Sequence, residues 1–102
     1  MNLIAYEAQS WELYRDDDHY YLSMTVDQSA AGSCWDLVLD REEIQAYEHR
    51  GKQSIQQLVR SILQLANHGD YSAMEGRLAK PYERLAMQSA FKRWQNMRQD
   101  LD

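Results

Sequence analysis

Polar and apolar residues alternate along the first forty positions of the chain. In the segment 20–27, Y-Y-L-S-M-T-V-D, one face carries the apolar residues Leu22, Met24 and Val26. The other face carries Tyr21, Ser23, Thr25 and Asp27. A period of two is typical of a half-buried strand. The same alternation places Trp11 with Leu13, and later Trp35 with Leu37 and Leu39, so three or four strands are predicted.

The connections between these strands are short and rich in turn-forming residues. They read R-D-D-D-H over residues 15–19 and Q-S-A-A-G-S over residues 28–33. Short connections of this composition join neighbouring antiparallel strands. The first part of the chain is therefore predicted to be an antiparallel β-meander.

After Asp40 the pattern changes to that of helices. Glu43 stands three residues after Asp40, which is the spacing of a capping box, so a helix is predicted from Arg41 with Gly51 as its stop. A second helix, ending near residues 68–69, has an apolar stripe at helical spacing that comprises Ile55, Leu58, Val59, Ile62, Leu63 and Ala66.

Two further helical segments are predicted near the end of the chain. A short helical turn begins at Ser72, and Pro81 suits the first turn of a final helix that runs to about Gln99. The apolar residues of this last helix are expected to line a buried stripe of Leu85, Phe91, Trp94 and Met97.

Together these elements predict an α+β protein. We expect one domain, residues 1–102, in which an N-terminal antiparallel β-meander of three or four strands is followed by three or four helices packed on one face. The 44% of apolar residues, the four glycines and the single proline are typical of a folded chain. The expected core comprises Leu22, Met24, Val26, Trp35, Leu37, Leu58, Val59, Ile62 and Trp94.

Composition also constrains location and partners. No apolar run approaches the roughly 18 residues of a membrane span, and the first residues do not have the pattern of a signal peptide, so a cytoplasmic protein without membrane contact is expected. Cys34 is the single cysteine and is expected to be a small buried apolar residue. The formal charge of -5 repels nucleic acid and favours a basic protein partner.

No pattern in the sequence indicates catalysis or a bound cofactor. The chain has no glycine-rich phosphate-binding loop, and His19, His49 and His68 lie in three different predicted elements without metal-ligand spacing. Glu7 or Glu12 could pair with the run of aspartates as an acid and a base, but such pairs also require a deep groove. The sequence therefore predicts a protein that is not an enzyme, with no catalytic, cofactor-binding or metal-binding residue.

The segment 11–24, W-E-L-Y-R-D-D-D-H-Y-Y-L-S-M, has the most unusual composition. It places three adjacent carboxylates among aromatic side chains. A hydrated hairpin turn accounts for the aspartates alone, because aspartate favours turns. Tyrosine beside carboxylates is also typical of a surface that binds a basic protein. The candidate partner-binding residues are Glu12, Tyr14, Asp16, Asp17, Asp18, Tyr20 and Tyr21.

In size, element order and this acidic aromatic segment, the chain resembles the immunity proteins of bacterial contact-dependent inhibition and related polymorphic toxin systems. Those proteins share no common signature, so the resemblance transfers no functional residue. It implies a tight cytoplasmic complex with a cognate toxin domain, which is expected to be basic, as a nuclease domain is. The sequence leaves a homodimer open.

A second hypothesis is a nucleic-acid-binding or transcriptional accessory module. The two helices around Gly51, in the region from Arg41 to Arg60, could form a helix-turn-helix that presents Gln56, Gln57 and Arg60 to bases. Against it, Tyr47 stands where a close helix crossing requires a small residue, and the region is only weakly basic.

Overall fold

The computed structural model describes residues 1–8, 10–26 and 34–101, with side chains up to Arg98. Four strands come first: β1 (Asn2–Glu7), β2 (Trp11–Arg15), β3 (Tyr20–Thr25) and β4 (Cys34–Val38). Four helices follow: α1 (Arg41–Arg50), α2 (Lys52–Asn67), α3 (Ser72–Glu75) and α4 (Pro81–Leu101). The strands form one antiparallel sheet in the order β1-β2-β3-β4. The α+β class and the N-terminal meander are thus confirmed, while the expected turn 28–33 and Asp27 lie outside the described residues.

The first face of the sheet packs against α2. This face carries the alternating apolar residues Trp11, Leu13, Leu22, Met24 and Leu37. They form one core with the stripe of α2, namely Ile55, Val59, Ile62 and Ala66. Of the expected core, Trp35, Leu58 and Trp94 are half-buried and the other residues are buried.

The second face of the sheet packs against α4, so the prediction that all helices lie on one face is wrong. Tyr14 and Tyr21 on this face form a second core with Ala79, Met87 and Ala90. The sheet is therefore covered on both sides. The reason is that the second strand face is itself rich in large rings, which the fold buries beneath α4.

The expected buried stripe of α4 is also partly wrong. Leu85 and Met97 are 63% and 64% exposed, whereas Met87 and Ala90 are buried. Glu83 is buried as well, at 7% exposure, although it is charged in water. The inward stripe is rotated around the helix because Glu83, and not Leu85, faces the sheet.

Local signals at the helix ends match the prediction. The amide of Glu43 donates to Oδ1 of Asp40 at 2.8 Å, and the amide of Asp40 donates to Oε1 of Glu43 at 2.9 Å, which completes the capping box. Gly51 separates α1 from α2 with φ +68°. No helix in the described ranges is long and apolar enough to cross a bilayer.

Candidate functional site

The β2–β3 hairpin contains the three aspartates, and Asp16 forms its turn. Oδ1 of Asp16 accepts hydrogen bonds from the amides of Asp18, at 2.9 Å, and His19, at 2.7 Å. This is the geometry by which aspartate substitutes for a backbone turn. Asp17, Asp18 and His19 are exposed, whereas Asp16 is half-buried. Asp16 therefore serves the fold, and Asp17 and Asp18 are the carboxylates available to a partner.

The tyrosines of this segment are interior. Tyr14, Tyr20 and Tyr21 are only 2%, 8% and 1% exposed. Tyr20 belongs to the first-face core and packs edge-on against Tyr47 of α1, with ring centroids 6.0 Å apart. The expectation of an aromatic surface around the aspartates is wrong, because the helices on the two faces cover the rings. That the segment binds a partner stays a prediction.

A buried hydrogen-bonded link joins the hairpin to α4. The hydroxyl of Tyr21 lies 2.7 Å from Oδ2 of Asp16 and 2.9 Å from Oε2 of Glu83. Oε1 of Glu83 accepts from the amide of Lys80 at 2.7 Å. Burial and these two carboxylates raise the pKa of Tyr21, because the phenolate would be both desolvated and repelled. The link holds the first turn of α4 against the hairpin.

Two large apolar side chains are exposed on this part of α4. Tyr82 is 66% exposed and Leu85 is 63% exposed. They stand three residues apart on a helix, so they are neighbours on its surface. Glu83, which lies between them in sequence, is bound to Tyr21, so the first turn of α4 lies against the hairpin that carries Asp17 and Asp18. This pair was not identified from the sequence. The signal that could have found it is that Tyr82 and Leu85 lie one and two positions from Glu83, and residues so close in a helix point in different directions.

The first turn of α1 adds further carboxylates at the same end of the sheet. The amide of Leu39 donates to the carbonyl of Tyr20 at 2.9 Å, so Asp40 follows β4 where the hairpin begins. Asp17, Asp18, Asp40 and Glu42 are all exposed, and none forms an ion pair with another described residue. We call these four carboxylates the acidic end.

A cavity of about 480 Å³ lies on the second face, beside α4. We call it the α4 groove. Its floor is a row across three strands, since Glu12 pairs with Ser23 and Ser23 pairs with Asp36. Tyr14 and Cys34 also contribute from the sheet, while the wall formed by α4 comprises Arg84, Met87, Gln88, Phe91, Lys92 and Gln95.

Glu12 is the predicted site residue that the structure places in this groove. It is half-buried, and an interaction with the hydroxyl of Tyr14 favours its ionised form. Burial, and then the negative charge of Asp36, raise the pKa of Glu12, while the interaction with Tyr14 opposes them. Burial and the same two carboxylates raise the pKa of Tyr14. The floor of the groove is therefore partly desolvated at Glu12, while Arg84 and Lys92 lie on its wall.

The remaining candidate groups do not converge on a reaction centre. Cys34 is exposed, which corrects the expectation of a buried thiol, and lies at the rim of the groove. His19, His49 and His68 are exposed, each in a different part of the fold. Within residues 1–8, 10–26 and 34–101, no group of histidine, cysteine or acidic side chains is arranged to hold a metal ion. Glu7 pairs with Lys52 at 3.2 Å, at the end of β1 away from the aspartates.

On α2, which follows Gly51, the polar residues lie on the side of the helix opposite its buried apolar stripe. Gln56, Gln57 and Arg60 are exposed on α2. Gln57 accepts a hydrogen bond from Nη1 of Arg50 at 2.9 Å. Tyr47, four residues before Gly51, is half-buried and packs against Tyr20.

Comparison of the chain with family models, with curated proteins and with solved structures found no match.

Proposed function

We propose that this protein is a small acidic cytoplasmic binding protein that neutralises a cognate toxin domain by forming a tight protein–protein complex. In this proposal it acts as an immunity protein of a contact-dependent inhibition or related polymorphic toxin system. The contact surface combines the acidic end with the exposed pair Tyr82 and Leu85.

The observation that carries the proposal is the exposure of Tyr82 and Leu85 on the turn of α4 that the Tyr21–Glu83 hydrogen bond holds against the hairpin of Asp17 and Asp18. Large exposed apolar side chains next to charged residues are typical of protein-binding surfaces. Tyrosine is also enriched among the residues that contribute most to binding. The link from Glu83 through Tyr21 to Asp16 holds both parts in one arrangement before a partner arrives. Such preorganisation lowers the entropy cost of binding.

The negative charge of the acidic end indicates that the partner is a basic protein. A toxin that acts on nucleic acid needs cationic side chains to hold phosphates. Exposed carboxylates accelerate association with such a protein and pair with its lysines and arginines. The acidic end thus favours a basic domain, and a nuclease is the class that fits this charge best.

The test begins with capture of the partner from an extract of the source cell, followed by mass spectrometry and titration calorimetry of the purified pair. Tyr82→Ala and the double change Asp17→Asn with Asp18→Asn should each weaken binding by about tenfold or more, roughly 1.4 kcal/mol. Asp16 is left unchanged because it forms the turn. The matched control is Glu48→Gln with Glu75→Gln, which removes the same charge from exposed positions on α1 and α3.

The proposal is supported if a basic toxin domain binds the parent protein and if its affinity falls for the test variants but not for the control variant. Equal losses in the test and control variants would reduce the effect to net charge and remove the surface assigned here. Recovery of DNA without a protein partner would instead favour the nucleic-acid module of residues 41–60. Self-association that Tyr82→Ala abolishes would assign the surface to a homodimer. Thermal melts of each variant separate binding from folding.

A further inference from the structure

The second face of the sheet is only partly occupied by α4. The helix covers Tyr14 and Tyr21 with Met87 and Ala90. The neighbouring row of Glu12, Ser23 and Asp36 forms the floor of the α4 groove instead. The volume of about 480 Å³ falls within the roughly 300 to 1,000 Å³ typical of ligand sites.

The two carboxylates on this floor differ in their partners. Asp36 has a cation from the chain itself, since Nε of Arg84 lies 3.1 Å from its Oδ2. Glu12 forms no ion pair with any described residue. Lys92 lies on the wall of the same groove, exposed, and is not within ion-pair distance of Glu12. Glu12 is therefore the carboxylate at which an external cation fits.

The surroundings of Glu12 specify more than charge. Partial burial and the charge of Asp36 both penalise its ionised form, so a cation placed beside it relieves a cost that the free protein bears. Met87 and Phe91 supply an apolar wall from α4. Lysine and arginine side chains combine an aliphatic stem with a cationic head, and they bury the stem along apolar surface. The pair of Arg84 and Asp36 provides the same chemistry at the adjacent position.

We propose that the α4 groove binds a lysine or arginine side chain of the partner protein, with its cationic head at Glu12 and its stem along Phe91. The assignment of that side chain to a partner rests on the function proposed above. Asp16 lies four positions after Glu12, about 13 Å at the rise of a strand. One interface of ordinary size, about 800 Å² on each protein, spans both the groove and the acidic end.

The site is tested first without the partner, using N-acetylarginine amide as the probe. Its titration is followed by two-dimensional NMR, and N-acetylcitrulline amide serves as the uncharged probe of matching shape. The arginine probe should produce saturable shifts at Glu12, Ser23 and Phe91 and should lower the pKa of Glu12. The citrulline probe should bind about tenfold more weakly, because it lacks the charge-assisted hydrogen bond. Equal binding of both probes, or no saturable shift at these residues, would overturn the site.

Glu12→Gln should reduce binding of the arginine probe about tenfold, whereas Glu48→Gln, an exposed change on α1, should not alter it. Alkylation of Cys34, the single cysteine of the chain and a rim residue of the groove, gives a second readout. The arginine probe should slow it in the parent protein and not in Glu12→Gln. Unchanged probe affinity in a folded Glu12→Gln variant would show that Glu12 does not hold the cation.

The same variant is then titrated against the captured toxin domain. A loss of about tenfold for Glu12→Gln, with Glu48→Gln unchanged, places a basic side chain of the partner in the groove. Probe binding at Glu12 combined with unchanged partner affinity would overturn the assignment to the partner while leaving the acidic-end interface intact. Failure of the proposed function gives a different result, because Tyr82→Ala then leaves partner binding unchanged and the probe still binds.

Discussion

Asp16, Asp17 and Asp18 are chemically identical and adjacent, but only Asp16 is used by the fold. It accepts two amide hydrogen bonds within the turn and lies 2.7 Å from the hydroxyl of Tyr21. Asp17 and Asp18 are exposed and form no ion pair with another residue that the structure describes. At the scale of single residues, one carboxylate stabilises the hairpin and two remain available for binding.

The pH dependence of stability should distinguish Asp16 from its neighbour. Partial burial by itself raises the pKa of Asp16, but the hydrogen bonds from Tyr21 and from the two amides outweigh it and hold the pKa below its ordinary value of 3.8. Because the folded pKa is the lower one, ionised Asp16 stabilises the fold above the unfolded value, and this contribution is lost as pH falls through the folded pKa.

We therefore expect Asp16→Asn to be less stable than the parent at neutral pH, with a difference that shrinks below about pH 4. Asparagine keeps the turn acceptor and lacks the charge. The measurement is urea unfolding of both proteins at about pH 7 and about pH 3. The control is Asp17→Asn, the same change at the exposed neighbour, which should differ little from the parent at either pH. A difference for Asp16→Asn that is constant with pH would contradict the role of its charge.

At the scale of elements, the connection between α1 and α2 depends on a single residue. Gly51 ends one helix and precedes the next, with φ +68° and ψ -146°. Its amide donates to the carbonyl of Tyr47 at 2.7 Å. Side-chain-bearing residues rarely adopt this conformation. Glycine therefore allows α2 to turn its apolar stripe onto the sheet directly after α1.

Gly51→Ala should destabilise the fold by about 1 to 3 kcal/mol. The added Cβ would meet nothing within 4 Å, so the cost comes from the backbone conformation and not from a clash. Gly76 is the matched control, since it is equally open but has φ -87°. Gly76→Ala should stay within about half a kcal/mol of the parent. Equal unfolding free energies for the two variants would show that the conformation at Gly51 carries no cost for alanine.

At the scale of the whole molecule, the two faces of the sheet have different roles. The first face is closed by α2 and builds the larger core. The second face is closed over the tyrosines by α4 but open over Glu12, Ser23 and Asp36. Tyr82 and Leu85 are exposed on α4, the same helix that forms the wall of the α4 groove.

The proposed electrostatic association should depend on ionic strength. Attraction between exposed charges is screened over about 10 Å at 0.1 M salt, so association with a basic partner should slow as salt rises, while dissociation should respond less. Stopped-flow or surface-based kinetics across a salt series measures both rates. Asp17→Asn with Asp18→Asn should flatten the dependence of the association rate more than Glu48→Gln with Glu75→Gln does. An association rate that does not change with salt would remove the charge-based part of the proposal.

Local features of the sequence determined much of the fold. The period of two predicted the strands, the Asp40 and Glu43 pair predicted the start of α1, and the stripe from Ile55 to Ala66 predicted the buried side of α2. Each of these signals depends on residues a few positions apart, so a single sequence contains it in full. Of the candidate site, this reasoning correctly identified the turn and its carboxylates, but not their surroundings.

Only the tertiary structure decided which surfaces remain open. By sequence pattern, Tyr14 and Tyr21 belong to the exposed face of a half-buried strand. In the structure they are buried, because α4, some sixty positions later in the chain, covers them. Burial of Glu83 against Tyr21 turns Tyr82 and Leu85 outward, where a helical stripe alone would place Leu85 inside. Glu12 and Asp36 become neighbours only through strand pairing. Periodicity specifies the two faces of a strand or helix, but the element that covers each face is set by long-range packing.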